Sequence, residues 1–307
     1  LGVLLAKSGN SVSVLAHGET LAAIKRDGLV LTIGGETLNA AVTASSSAKD
    51  LGPQDLIVVA VKGPALGAVA PAIAAMLGPQ TIVLPAMNGV PWWFTGGLEG
   101  PAANMTLHSV DPGGTIAAAI PPSHVIGCVV HASASTAAPG HSLHTAGKRL
   151  IIGEPGNAIT ERLARVAGLL SDAGLDAVQT PHIRQDIWYK LWGNMTMNPI
   201  SALTRATTDR ILDDPLVAAF ALAVMNEAKT LGARIGCHIG ESGEDRMKVT
   251  RRLGAIKTSM LQDVEAGRAL ELDALLAAPR EIAGTIGLAT PNMDALHGLA
   301  RLMAAKA

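Results

Sequence analysis

Apolar residues follow two rhythms along this chain. Over the first half they gather into short, β-branched runs at 11–16 (S-V-S-V-L-A), 56–61 (L-I-V-V-A-V) and 81–85 (T-I-V-L-P), each bounded by Gly, Pro or Asp. Continuous runs of this length fit parallel strands buried on both faces. Residues 64–77 open with proline and are followed by Gly78, the punctuation of a crossover helix. Strands alternating with helices predict a doubly wound α/β sheet. In 125–154 the alternation stops, and two strand-like runs around Pro139-Gly140 predict an antiparallel hairpin. A helix over 159–173 follows, with Gly174 placed to stop it. Beyond Pro181 the period lengthens to that of helices, over 187–202, 214–231, 243–255 and 270–286, and Thr290-Pro291 starts a last one. The expected division is therefore an α/β domain over 1–180 and an all-α domain over 181–307.

The start of the chain falls inside this pattern. Residues 1–7 (L-G-V-L-L-A-K) read as a helix that Ser8-Gly9-Asn10 ends, just ahead of the strand at 11–16. In a dinucleotide-binding fold such a helix follows a first strand and a G-x-G-x-x-G turn whose amides approach a pyrophosphate. Both are missing, so the expectation is a sequence truncated at its N-terminus.

Composition narrows the function. With 24 Lys+Arg against 25 Asp+Glu in 307 residues, the net charge is -1 and nothing is in surplus to neutralise a nucleic acid backbone or coat an anionic membrane. Four Trp, two Phe and one Tyr offer few stacking platforms for single strands. Apolar residues at 49% and charged residues at 16% describe a folded chain with a large core. Two cysteines, Cys128 and Cys237, suit a reducing compartment, and neither a signal peptide nor a membrane span is expected. The expected location is cytoplasmic.

Candidate chemistry sits at strand ends and on one helix. His17 follows the strand 11–16, where a side chain can meet a ribose 2′-substituent, although an ordinary loop histidine explains it as well. Lys62 closes an apolar strand at the edge where ligands of open α/β sheets bind; a solvated lysine is the alternative. Asn88-Gly89 ends the next strand, in a dipeptide that turns also favour without any ligand. The strongest constellation is W-Y-K-L-W-G-N-M-T-M-N-P (188–199). Lys190, Asn194 and Asn198 are spaced i, i+4, i+8, so at about 100° per residue they share one stripe. Trp188, Leu191, Trp192 and Met195 leave little of this helix for water, so the stripe is not simply a solvated face. A lysine so placed can act as a proton donor. Ser259, with Gln262 three residues on, fits a capping box, and Glu271 and Asp273 fit the first turn of a helix after Gly267. Cys128, His131, His141 and His144 have metal-like spacing, but x-x spacing in a strand points the members of each pair apart, and no metal site is expected.

Together these motifs resemble the ketopantoate reductase (2-dehydropantoate 2-reductase) family along essentially the whole chain. The most specific stretches are K-L-W-G-N-M-T-M-N-P-I (190–200) and S-M-L-Q-D-V-E-A-G-R-A-L-E-L-D (259–273), supported by V-A-V-K (59–62) and M-N-G-V-P (87–91). The resemblance implies an NADP-binding Rossmann domain, a helical domain, and an active site between them in which a 2-keto acid is reduced with NADPH. It implies Lys190 as general acid and Glu271 as the residue holding the substrate's distal hydroxyl. Asn194, Asn198 and Ser259 would bind substrate, Asn88 would lie beside the nicotinamide, and Lys62 near the 2′-phosphate. His17 stands where NADPH-preferring members commonly carry arginine. After Glu271, L-D-A-L-L-A-A replaces the polar, Asn-Gly-containing turn of close pantoate enzymes, which marks a divergent paralogue. Competing readings are a dehydrogenase of another hydroxy acid and a non-catalytic remnant; a homodimer is among the assemblies the family reading admits.

Overall fold

The computed structural model describes residues 1–305, and the β-branched runs of the first half form its strands. In chain order come α1 (Gly2–Lys7), β1 (Ser13–Leu15), α2 (Gly18–Asp27), β2 (Leu29–Ile33), β3 (Glu36–Ala40), β4 (Thr43–Ser45), α3 (Ala48–Leu51), β5 (Leu56–Val59), α4 (Leu66–Ala74) and β6 (Ile82–Pro85). A long excursion ends in α5 (Thr115–Ala119). It is followed by β7 (Gly127–Ala138), β8 (His141–Gly153), α6 (Glu161–Asp172) and β9 (Asp176–Gln179). β1 pairs with β4 and β5 with β6, both in parallel. β7 and β8 make the antiparallel hairpin expected around Pro139-Gly140, and β8 also pairs in parallel with β2 and β9 to complete a mixed five-stranded sheet. The β2–β3 hairpin was not anticipated from the pattern. Its signal is Gly34-Gly35, whose φ values of 59° and 85° are those of a two-residue hairpin turn that other residues rarely adopt.

Compact packing divides the chain into two units that do not follow a single cut. The first holds Leu1–Val59, Ala68–Ala86 and Ala119–Ile183; the second holds Ala60–Gly67, Met87–Ala118 and the chain from Arg184 onward. In the first unit, Ile82, Leu84, Ile126, Leu150 and Ile152 from the strands pack against Leu163, Val166, Ala167 and Leu170. The spacing of those four puts them on one face of α6, and each buried Leu there contributes about 2 kcal/mol. Thr160 caps α6 by accepting from Leu163 N at 3.2 Å. Glu154 accepts from Thr160 Oγ1 at 2.5 Å and from Arg162 Nε and Nη2 at 2.8 and 2.5 Å, tying the end of β8 to the start of the helix.

The second unit is helical: α7 (Ile183–Thr204, with Ile183 in the first unit), α8 (Thr208–Asp213), α9 (Pro215–Arg234), α10 (Gly243–Arg252), α11 (Ser259–Glu265), a π-helical turn at Asp273–Ala277 running into α12 (Ala278–Thr285), and α13 (Pro291–Ala304). Asp214, Ser242 and Thr258 cap α9, α10 and α11 by accepting from backbone amides. The chain is thus α/β and Rossmann-like in its N-terminal part and all-α in its C-terminal part. α9 runs on past the expected end at 231, and its length and hydropathy would suffice to cross a membrane. Here it serves as a bundle helix, with Ala221, Val224, Met225, Ala228 and Leu231 buried. Glu281 of α12 accepts from the amides of His108 and Ser109 at 2.8 and 2.9 Å, which holds the 87–118 excursion against the bundle.

Candidate active site

The face that carries Lys190 is set by what lies on the opposite side of α7. Trp188 and Trp192, each about 160° from Lys190 around the helix, are fully buried. Their indole N–H groups donate to the carbonyls of Ala228 and Met225 on α9, at 3.1 and 2.8 Å. Gly232 makes the fit possible, because a Cβ there would collide with Trp188 Nε1 and lie 2.7 Å from the Cys237 carbonyl. With two bulky rings locked against α9, the Lys190, Asn194, Asn198 stripe is turned away from that contact.

From this stripe polar contacts run to several other segments of the second unit. Lys190 Nζ donates to Asn88 Oδ1 at 2.9 Å. The next residue, Gly89, has φ 83°, and a Cβ on it would lie 2.6 Å from Ala274, so only glycine lets the loop approach the π turn this closely. Val90 N completes that junction by donating to the Ala274 carbonyl at 2.9 Å. Glu271 starts the same segment, its carbonyl accepting from Leu275 N at 3.2 Å. Its carboxylate, 6% exposed with the rest of the residue, accepts from Gly63 N at 3.3 Å and lies 3.5 Å from Lys62 Nζ. Lys62 Nζ in turn is 2.6 Å from Asp263 Oδ2, and Arg268 Nε donates to Asp263 Oδ1 at 2.9 Å. Asp263 and Ser259 are one turn apart on α11, and Ser259 Oγ is 3.5 Å from Asn198 Nδ2, back on α7.

Six of the candidate residues therefore make polar contacts within the second unit, in three pairs: Lys190 with Asn88, Lys62 with Glu271, and Asn198 with Ser259. Asn194 lies half-buried on the stripe between Lys190 and Asn198. His17 belongs to the first unit, where it is the exposed N-cap of α2 and makes no side-chain cap hydrogen bond. Two expectations need correction. Ser259 is not the helix cap: Thr258 holds that position and accepts from Leu261 N, which leaves the Ser259 hydroxyl for Asn198. Glu271 stands ahead of the helical turn rather than inside it. Asp263 escaped the sequence reading although S-M-L-Q-D places it one turn from Ser259; Gly63 and Arg268 carried no signal.

Asp263 and Glu271, with side chains 5% and 7% exposed, are buried acids that persist because Lys62 and Arg268 answer their charge. Lys190 Nζ donates to the amide oxygen of Asn88, which helps to orient its ammonium. A nicotinamide cofactor fits the donors present. In the second unit the Nδ2–H groups of Asn88 are not used by Lys190 and suit a carboxamide; in the first, His17 is the exposed N-cap of the ten-residue α2, with no side-chain cap hydrogen bond.

Comparison with known proteins places these features in a family. A family model described as ketopantoate reductase PanE/ApbA matches residues 1–97, and one described as its C-terminal part matches residues 182–304. A 2-dehydropantoate 2-reductase of Mesorhizobium japonicum is 41% identical over 305 residues, 99% of this chain and 94% of that protein. A crystal structure of a protein of ketopantoate reductase type from Ralstonia solanacearum MolK2 superposes with a TM-score of 0.96 at 55% identity, covering 99% of this chain and 94% of the other. A D-mandelate dehydrogenase solved with NADH and anilino(oxo)acetate covers the same shares with a TM-score of 0.83 at 20% identity, a likeness of fold alone.

Proposed function

The chain belongs to the ketopantoate reductase family, and from that premise we propose that it reduces a small 2-keto acid with NADPH, with 2-dehydropantoate the leading substrate and pantoate the product. That assigns it to the supply of pantothenate and coenzyme A. It is an oxidoreductase acting on CH–OH groups with a nicotinamide cofactor; the choice of NADPH and of substrate is the further step. The observation that carries the reading is that one unit holds Lys190 oriented by Asn88, Lys62 paired with Asp263 and Glu271, and Ser259 against Asn198 of the same helix as Lys190.

When bound, the cofactor supplies a hydride to the ketone carbon. Negative charge then gathers on the ketone oxygen, and Lys190 Nζ stabilises it and donates the proton that completes the hydroxyl. Asn88 Oδ1 fixes the direction of that ammonium. Glu271 accepts the distal hydroxyl of the substrate, and Asn194, Asn198 and Ser259 line the rest of the stripe. Lys62 and His17 are assigned to the 2′-phosphate of the cofactor, Lys62 exchanging a carboxylate for it. Residues 1–180 take the cofactor role and 181–307 the substrate role, with Lys62 and Asn88 lent to the second by strand-end loops.

A second reading, reduction of a different and more apolar 2-keto acid, is favoured by the turn after Glu271, where Leu272, Ala274, Leu275 and Leu276 are all buried. A panel of keto acids assayed with NADPH and NADH separates the two. For the reaction itself, Lys190→Ala should lower kcat by about two to four orders of magnitude with cofactor affinity nearly unchanged. A variant keeping more than half the wild-type kcat would remove Lys190 from the mechanism.

A further inference from the structure

Among the described residues, three buried side-chain atoms lack a hydrogen-bond partner: Trp93 Nε1, Asp186 Oδ2 and Arg246 Nε. All three belong to the second unit. Such atoms are few in native folds and point to a missing ligand or water. Asp186 stands one turn before Lys190, and Arg246 reaches α7 one turn after it.

Arg246, on α10, is held from two sides. Its guanidinium carbon lies 5.1 Å from the centroid of the Tyr189 ring, and a Cβ on Gly193 would be 3.0 Å from Nη2 and 3.3 Å from Nε. Tyr189 precedes Lys190 and Gly193 precedes Asn194, so the guanidinium rests on the flank of the helix that bears the catalytic stripe. Residues three apart on a helix have Cβ atoms about 5–6 Å apart, which puts Gly193 beside Lys190. The guanidinium of Arg246 also meets the Tyr189 hydroxyl. Among the described residues it has no ion pair, and the nearby Glu241 accepts the Tyr189 hydroxyl at 2.6 Å. The other cations of the site are engaged, Lys62 and Arg268 by Asp263 and Glu271, and Lys190 by Asn88.

A 2-keto acid brings a carboxylate on the carbon next to its ketone, and a carboxylate leaving water needs a cation. We propose that Arg246 is that cation. With the ketone oxygen at Lys190, the carboxylate lies toward Gly193 and accepts side-on from Nε and Nη2 of Arg246. The bare backbone at Gly193 and the face of Tyr189 hold the guanidinium flat, and the pair selects 2-keto acids over neutral ketones. This assignment deepens the proposed function and rests on it.

The test compares one ketone in two forms, a 2-keto acid that the wild type reduces and its primary amide, each with saturating NADPH. Wild type should prefer the acid by about a hundredfold in kcat/KM. Arg246→Ala should raise KM for the acid by a similar factor, leave the amide within about threefold, and leave NADPH affinity unchanged. Gly193→Ala, which crowds the guanidinium without removing it, should raise KM for the acid alone, by about tenfold. A wild type indifferent to acid or amide overturns the inference, as does an Arg246→Ala enzyme that loses both equally. A wild type that reduces no 2-keto acid removes the proposed function itself, and this inference with it.

Discussion

Lys62 shows how far one side chain's meaning depends on what lies across from it. In the sequence it is a lone cation closing an apolar strand, and a phosphate is its natural partner. In the fold its ammonium sits between Asp263, 201 residues later, and Glu271, 209 residues later, and spacing along a chain carries no information over such separations. Lys190, Asn194 and Asn198 were legible for the opposite reason: one helix fixes their mutual geometry, so their spacing alone places them on a common face. Cys237 is a third kind of residue, polar by composition and inert by position. Burial pushes its thiol up to about 12, against the smaller opposing pull of the Arg184 guanidinium. At pH 8 about one molecule in ten thousand then carries the thiolate that alkylating reagents attack. Iodoacetamide at pH 8, followed by peptide mapping, should leave Cys237 unmodified in the folded protein and label it fully in denaturant. Labelling of the folded chain at the rate of a free thiol contradicts the burial.

At the scale of elements, helices declared themselves by period and punctuation, and their ends misled where two capping residues adjoin. Thr258 and Ser259 are both competent caps; the hydroxyl that reaches Leu261 N is that of Thr258, which frees Ser259 for the site. The β2–β3 hairpin escaped because each strand has five residues with little alternation, although its two glycines marked the turn. The α7–α9 junction tests how strictly packing sets the face that carries Lys190. Gly232 exists to admit Trp188, and a methyl there must move either the indole or the Cys237 backbone. Gly232→Ala should cost about 2 kcal/mol, as overpacking does, and lower kcat as well, because rotating α7 displaces Lys190 from Asn88. Gly168 is the internal control. It lies exposed in α6 with nothing within 4 Å of its missing Cβ, so Gly168→Ala should stabilise by about 0.5–1 kcal/mol and leave kcat alone. Chemical denaturation of both variants, with kcat beside it, decides; equal effects at the two sites would mean that Gly232 imposes no constraint.

For the molecule as a whole, the near-neutral charge belongs to pH 7; in acid the 25 Asp+Glu are neutralised and the 24 Lys+Arg and nine His stand unbalanced, so general repulsion adds to the loss of particular carboxylates that the fold holds ionised. Glu154 is the clearest of them. Burial opposes its ionisation, but the hydrogen bonds from Arg162 and Thr160 and the charge of Arg162 outweigh that cost and hold the carboxyl below its ordinary range. Its side chain is 6% exposed, and it joins β8 to α6, whose inner face supplies much of the first unit's core. A folded pKa below the unfolded one means the stabilisation is complete above about pH 4.3, the unfolded value for Glu, and drains away as the pH falls through the lower folded value. Glu154→Gln keeps the volume and loses the charge, so it should lower stability by about 2 kcal/mol at pH 7, the scale of charge-assisted hydrogen bonds. As acid protonates the wild-type carboxyl, the two proteins should converge. Thermal melts at pH 7 and pH 3 read this directly: wild type should melt several degrees above the variant at pH 7, and the gap should close at pH 3. A gap equally wide at both would show that the Gln side chain fails for reasons of shape, and that the ion pair with Arg162 does not govern the acid response.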